Sequence, residues 1–326
     1  MIQRILKHKY PIMVAIVFLI YIIATAFVLI FAAKIGPIIE YNNQPVVSLP
    51  NVTRLTQSDF TTVDIDNSKI YEGPLVLVNN YNECKFDGEE LVSVLEYKQE
   101  INNDKYMVAD YDVKMNSSVV ENLNSMLSDF HDAYSNDSVM VSSGYRSRQL
   151  QEELYADEQQ KKASTGTDSS DGELVAVPGY SEHQTGYAVD LSINLGDDSY
   201  VEYTNTDDYK WMLDNCSIYG YILRYPPDKI HITEIAHETW HYRYVGTPHA
   251  SYIMQNKLCL EEYINLVKYY NHTNPLYVTD LSLTNWMIYY VPAAAGELTS
   301  VTVPIDNDYQ VYGNNSDGFV VAVKLK

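Results

Sequence analysis

Two segments about fifty residues apart carry the side chains best suited to chemistry, Ser181-Glu-His-Gln-Thr-Gly-Tyr-Ala-Val-Asp190 and Glu238-Thr-Trp-His241. Together they offer two imidazoles and two carboxylates. A hydrolytic zinc site draws on that set: three ligands from His, Asp or Glu, a fourth position open to water, and a free carboxylate to take the water's proton. His183, Asp190 and His241 are the candidate ligands and Glu238 the candidate base. Zinc suits two imidazoles and one carboxylate better than harder cations do.

The spacing restricts the elements that can hold these residues. Gly186 allows a tight turn after His183, and Tyr187-Ala-Val-Asp-Leu-Ser-Ile193 alternates loosely, like a strand entering a core. In a regular strand, residues i and i+3 point to opposite faces, so Glu238 and His241 can share a site only across a bend or helical turn. Glu238 is therefore expected at the end of a helix or loop, with His241-Tyr-Arg-Tyr-Val245 continuing as a strand that Gly246 ends. A rival reading takes His237-Glu-Thr-Trp-His241 as the HExxH of a zincin helix, which would reduce His183 and Asp190 to scaffold. Against it, Tyr242 to Gly246 reads as an aromatic, β-branched run rather than as further helix, and the first segment is left without a purpose.

With an upstream Ser143-Gly-Tyr-Arg-Ser147 and Gln151, these blocks resemble the zinc D-alanyl-D-alanine carboxypeptidases of the VanY type, and they occur in that family's order. Gly220-Tyr-Ile-Leu-Arg-Tyr-Pro226 and His241-Tyr-Arg-Tyr-Val-Gly246 extend the resemblance, which runs from about Gly73 to about Tyr270. Thr239 departs from the tryptophan or proline common there, without touching a ligand. The resemblance implies an α+β fold of the Hedgehog and DD-peptidase kind, a central antiparallel sheet with flanking helices. It also implies that Arg146 stabilises the oxyanion, and that Ser181 and Gln151 contact the substrate's terminal carboxylate. The implied substrate is a peptidoglycan stem peptide that loses its terminal D-Ala. An L,D-carboxypeptidase on tetrapeptide stems, a D,D-dipeptidase and an inactive wall-binding module are the alternatives. A cytoplasmic supply of free D-Ala-D-Ala weighs against the dipeptidase if the chain is anchored outside.

Pro11 to Ala33 carries no charge, and about 23 residues at about 1.5 Å each cross a bilayer core. Arg4, Lys7 and Lys9 precede this run, so residues 1–10 are expected in the cytoplasm, 11–33 as a single transmembrane anchor, and the catalytic domain outside the cell membrane. A cleaved signal is the alternative, but the apolar run exceeds the usual length of such segments. Residues 34–72, with Pro37, Pro45 and Pro50, read as a spacer, 73–273 as the catalytic domain, and 274–326 as a small β appendage. Within the domain, Gly73 to Val78 reads as an entering strand, Ser117 to Tyr134 as a helix, Val139 to Ser142 as a strand, and Lys161 to Gly172 as a loop. The appendage either covers the catalytic sheet or binds wall polymer through Trp286, Tyr289, Tyr290, Tyr309 and Tyr312. Three widely spaced cysteines, Cys84, Cys216 and Cys259, suggest no metal cluster, and a net charge of -21 argues against nucleic acid as a partner.

Overall fold

The structure, a computed structural model, describes residues 54–165, 175–197 and 199–326. The expected anchor at 11–33 lies outside them, as do residues 166–172 of the expected loop. Among the described residues no helix is long and apolar enough to cross a membrane. Residues 161–165 are not loop, because the helix Arg148–Thr165 runs through them.

In chain order the strands are β1 (Phe60–Asp66), β2 (Leu91–Ser93), β3 (Met107–Val108), β4 (Lys114–Asn116), β5 (Val139–Ser143), β6 (Ala188–Gly196), β7 (Ser199–Glu202), β8 (Tyr221–Tyr225) and β9 (Glu238–Tyr244). The C-terminal strands are β10 (Leu276–Thr279), β11 (Asn285–Pro292), β12 (Leu298–Pro304), β13 (Tyr309–Gly313) and β14 (Gly318–Lys324). The main sheet has the order β3-β5-β6-β9-β8, with β7 paired to β6. It is antiparallel except for the short parallel pair of β3 and β5. The helix Ser117–Tyr134 packs on it through Val119, Leu123, Met126, Leu127 and Phe130, all buried. Asn116 starts that helix by accepting from the Ser118 amide, and Ser135 closes it in the left-handed conformation. Each fully buried Leu, Phe or Met of this face contributes about 1.5–3 kcal/mol.

Gly73 to Val78 is not a strand. Leu75, Val76 and Val78 are buried all the same. The carbonyls of Pro74 and Val76 accept from Arg243 Nη2, both at 2.9 Å, so a guanidinium takes the place of a neighbouring strand.

Residues 274–326 form an antiparallel sheet of order β10-β11-β14-β13, with its own core of Met287, Tyr289, Phe319, Val321 and Val323. Strand β12 leaves this sheet and pairs antiparallel with β1, Phe60 opposite Pro304 through Asp66 opposite Leu298. Residues 57–72 of the expected spacer therefore belong to the folded body, with Ile70 inside the C-terminal core. All three cysteines are buried and free.

Candidate active site

Strand β6 carries Asp190 and β9 carries His241, and the ladder places these two residues directly opposite each other. His183 arrives from the other side on a short 3-10 turn, Glu182–Thr185, closed by Gly186 at a φ of 76°. That positive φ is the one expected of a glycine between two ligands. Asp190 and both histidines are buried, and one potential ligand atom from each lies within 4.8 Å of the others.

Glu238 joins them by a route the sequence did not suggest. It begins β9 rather than ending a helix or loop. The β8–β9 ladder pairs Leu223 with Tyr242 and Tyr225 with Glu238, so two steps on β8 match four on β9. The surplus at Thr239 to His241 is a bulge, and it turns Glu238 and His241 to the same side of the strand. Glu238 Oε2 lies 3.6 Å from His241 Nδ1. Because this segment is strand, the HExxH helix is ruled out. His237 turns its Nδ1 to the Tyr225 carbonyl, 2.7 Å away, and is not among the clustered ligands.

The donor set fits a cation. His183 Nδ1 donates to the Gly144 carbonyl at 2.6 Å, which leaves its Nε2 lone pair facing Asp190 Oδ2 at 3.2 Å. Burial, aided by Arg146, pushes His183 down to about 4, so the ring is neutral near pH 7. Burial opposes the Asp190 charge, but the groups around it, the permanent Arg146 cation among them, hold its carboxyl well below the usual carboxylate range. Two lone pairs at that separation repel unless a positive charge sits between them. On the far side His241 Nδ1 is 3.1 Å from Asp190 Oδ1. Burial disfavours the charged ring there, yet the Asp190 and Glu182 carboxylates beside its two nitrogens raise it to about 9. Burial also pushes Glu238 up to about 8, as expected of a carboxylate that His241 only partly offsets.

Gly144 must be glycine for this geometry, because a Cβ there would stand 2.2 Å from the Lys114 carbonyl oxygen. Just beyond it, Arg146 bonds Asp190 Oδ2 through Nη2 and donates from Nε to Ser143 Oγ at 2.9 Å. Gln151, on the helix Arg148–Thr165, donates to the Ala176 carbonyl at 2.8 Å, while its buried Oε1 has no partner. Ser181 is buried at the start of the 3-10 turn. Arg146, Gln151, Ser181, Glu238 and the three clustered candidate ligands line one cleft of about 460 Å³, walled further out by the exposed Leu150 and Leu154. All seven sequence-derived site residues thus meet in one place.

Behind the cleft lies a group the sequence reading missed. Glu182 Oε1 is 2.8 Å from both Arg224 Nε and Arg243 Nη1, and Arg224 also forms a two-pronged pair with Glu261 at 2.6 and 2.9 Å. Both guanidiniums are fully buried. The available signal was a cation inside each of two apolar strand runs, Tyr-Ile-Leu-Arg224-Tyr and His-Tyr-Arg243-Tyr-Val, since a buried charge demands a partner.

A family model described as VanY, D-alanyl-D-alanine carboxypeptidase, matches residues 112–247. A solved structure of the vancomycin-resistance D,D-dipeptidase VanXYg, in complex with a D-Ala-D-Ala phosphinate analogue, superposes with a TM-score of 0.69 at 31% identity, covering 81% of this chain and 99% of that one. The chain belongs to the VanY family. A D-alanyl-D-alanine carboxypeptidase of Enterococcus faecium is 28% identical over 287 residues, 87% of this chain and 85% of that protein. One from Enterococcus faecalis is 37% identical over 180 residues, 52% of this chain and 65% of that protein. Membership makes the protein a D-alanyl-D-alanine carboxypeptidase of the zinc metallopeptidase class, and the mixed α/β body is the VanY fold. The matched stretch begins before Arg146 and ends after His241, so it contains the whole cleft chemistry.

Proposed function

We propose that this VanY-family enzyme is anchored in the cell membrane by residues 11–33, faces outward, and removes the terminal D-Ala of peptidoglycan stem peptides at a zinc centre held by His183, Asp190 and His241. The observation that carries the metal assignment is the convergence of His183 Nε2 and His241 Nδ1 on the two oxygens of the Asp190 carboxylate, with ligand atoms of all three within 4.8 Å of one another. Zinc bound there supplies a water acidified towards roughly pH 7 and positive charge for the reacting carbonyl. Glu238, beside His241, accepts the proton of the attacking water and returns it to the leaving amine. Arg146 offers the carbonyl oxygen a permanent cation at the cleft edge, and its Ser143 contact holds the guanidinium in line. Ser181 and Gln151, which line the same cleft, are the assigned contacts of the leaving residue, the hydroxyl as a donor to its carboxylate and the unpartnered Gln151 Oε1 as an acceptor from its amine.

Three results test this reading. Defined tripeptide, tetrapeptide and pentapeptide stems, and free D-Ala-D-Ala, are incubated with the zinc-loaded protein and the products weighed. Release of D-Ala from the pentapeptide alone supports the proposal. Release from the tetrapeptide makes the enzyme an L,D-carboxypeptidase, cleavage of the dipeptide alone makes it a dipeptidase, and no release from any substrate leaves a binding module. For the anchor, full-length protein should stay with membranes through carbonate extraction and be digested by protease added outside. Recovery in the soluble fraction defeats that part. The uncharged run Pro11–Ala33 and the preceding Arg4, Lys7 and Lys9 are its support.

A further inference from the structure

We propose that Glu182 is a positioning residue for His241, fixing which ring nitrogen faces the metal. The inference rests on the zinc reading of the site and goes beyond it by assigning the residue that orients one ligand. The two histidines present different atoms: His183 turns Nε2 towards Asp190, and His241 turns Nδ1. Each choice needs a partner on the other nitrogen, because an imidazole gives a lone pair only from the nitrogen without the proton. For His183 that partner is the Gly144 carbonyl. For His241 the atom behind the ring is Glu182 Oε2, 3.5 Å from Nε2, and neither atom has a hydrogen-bond partner in the structure. A shift of a few tenths of an ångström closes that gap to a hydrogen bond.

Glu182 is unusually well placed to hold its position. Its other oxygen is clamped between Arg224 and Arg243 at 2.8 Å each, and its backbone leads directly into His183. The 3-10 turn thus contributes one ligand from His183 and the orienting partner of another from Glu182. A carboxylate in this place can only accept, so it requires the proton on Nε2 and leaves Nδ1 free.

Glu182→Gln is the discriminating change. The amide keeps the shape and one acceptor, but its NH2 can turn to His241 and favour the opposite tautomer. Zinc affinity, measured by chelator competition on the full chain, should weaken about ten- to a hundred-fold. Glu261→Gln is the control: it removes a carboxylate from the same buried network without touching His241. It should keep zinc affinity within about threefold while destabilising the fold comparably, as loss of a buried partner does. Unchanged affinity in Glu182→Gln, or equal losses in both variants, overturns the proposal. Should either variant fail to fold, imidazole nitrogen NMR of the zinc-loaded wild type decides it. A proton on Nε2 of His241 and on Nδ1 of His183 supports the proposal, and a proton on Nδ1 of His241 refutes it. If the wild type binds no zinc, the metal reading itself fails and this inference with it; if the wild type binds and Glu182→Gln binds equally well, only the inference falls.

Discussion

Glu182, Glu261, Arg224 and Arg243, behind the cleft, are as deeply buried as His183, Asp190, Glu238 and His241 in front of it. The rear group matches two carboxylates with two guanidiniums at 2.6 to 2.9 Å. The front group sets two carboxylates and two imidazoles around one point, with a potential ligand atom from each of His183, Asp190 and His241 within 4.8 Å of the others, and drives Glu238 up to about 8. Burial of charge is therefore not by itself a mark of function. A buried cluster whose charges close on one another in ion pairs is structure, and one that gathers ligand atoms around a common point at the wall of an open cleft is a site suited to a cation and a substrate.

The contrast can be broken most forcefully at Glu238. Glu238→Gln should lower the rate of D-Ala release about 10²–10⁴-fold with zinc content unchanged, measured by single-turnover kinetics and metal analysis. The same variant should leave the metal-free fold more stable at pH 8. Burial raises the Glu238 carboxyl from 4.5 to about 8 in the folded state. An acid whose folded value is raised favours folding below pH 4.5, and that contribution is lost as pH climbs through 8, at about 1.4 kcal/mol per unit. Glutamine escapes the loss, so urea unfolding should show its advantage widening from pH 4.5 to 8 and absent below. A constant difference across that range means Glu238 is not held protonated by its surroundings.

Next in size, Arg224→Met strands Glu261, takes one of two guanidiniums from Glu182, and should cost about 3–5 kcal/mol of stability, read from denaturant midpoints. Arg146→Ala, in the open group, should instead cost under about 1 kcal/mol in stability and about 10²–10³-fold in rate. Similar stability losses would erase the distinction. Removing zinc by chelation should lower the melting temperature by an amount worth about 4 kcal/mol when the metal stands at a thousand times its Kd. It should have no effect on a His183→Ala variant that has lost the site. Smallest of all, His237→Ala should keep zinc content and change activity by less than about threefold, because His237 faces the Tyr225 carbonyl and not the ligands.

The site was readable in the sequence because its residues sit in short blocks whose spacing reports directly on chemistry. His183, Gly186 and Asp190 mark a turn and a strand, and the structure places them so. The helix Ser117–Tyr134 and strands β11, β12 and β14 were legible for the same local reason, a clear period of apolar residues. What stayed hidden depends on partners far along the chain. Val63 and Ile65 alternate weakly, and only their pairing with β12, more than two hundred residues on, makes a strand of them. Gly73 to Val78 has the composition of a strand, but Arg243 takes its carbonyls. The bulge in β9 left no trace in composition, so the demand that Glu238 and His241 share a face was met by a different device from the one expected.

That bulge gives the strand a cost in regularity. Shortening β9 by Thr239 and Trp240 would let each rung of the β8–β9 ladder meet its counterpart, and the sheet would lie truer. The carboxylate would then be the immediate neighbour of the imidazole in sequence and would point out of the opposite face. Insertions and deletions are usually harmless in loops and damaging in strands; here a two-residue trim would yield a tidier protein that has forgotten its reaction.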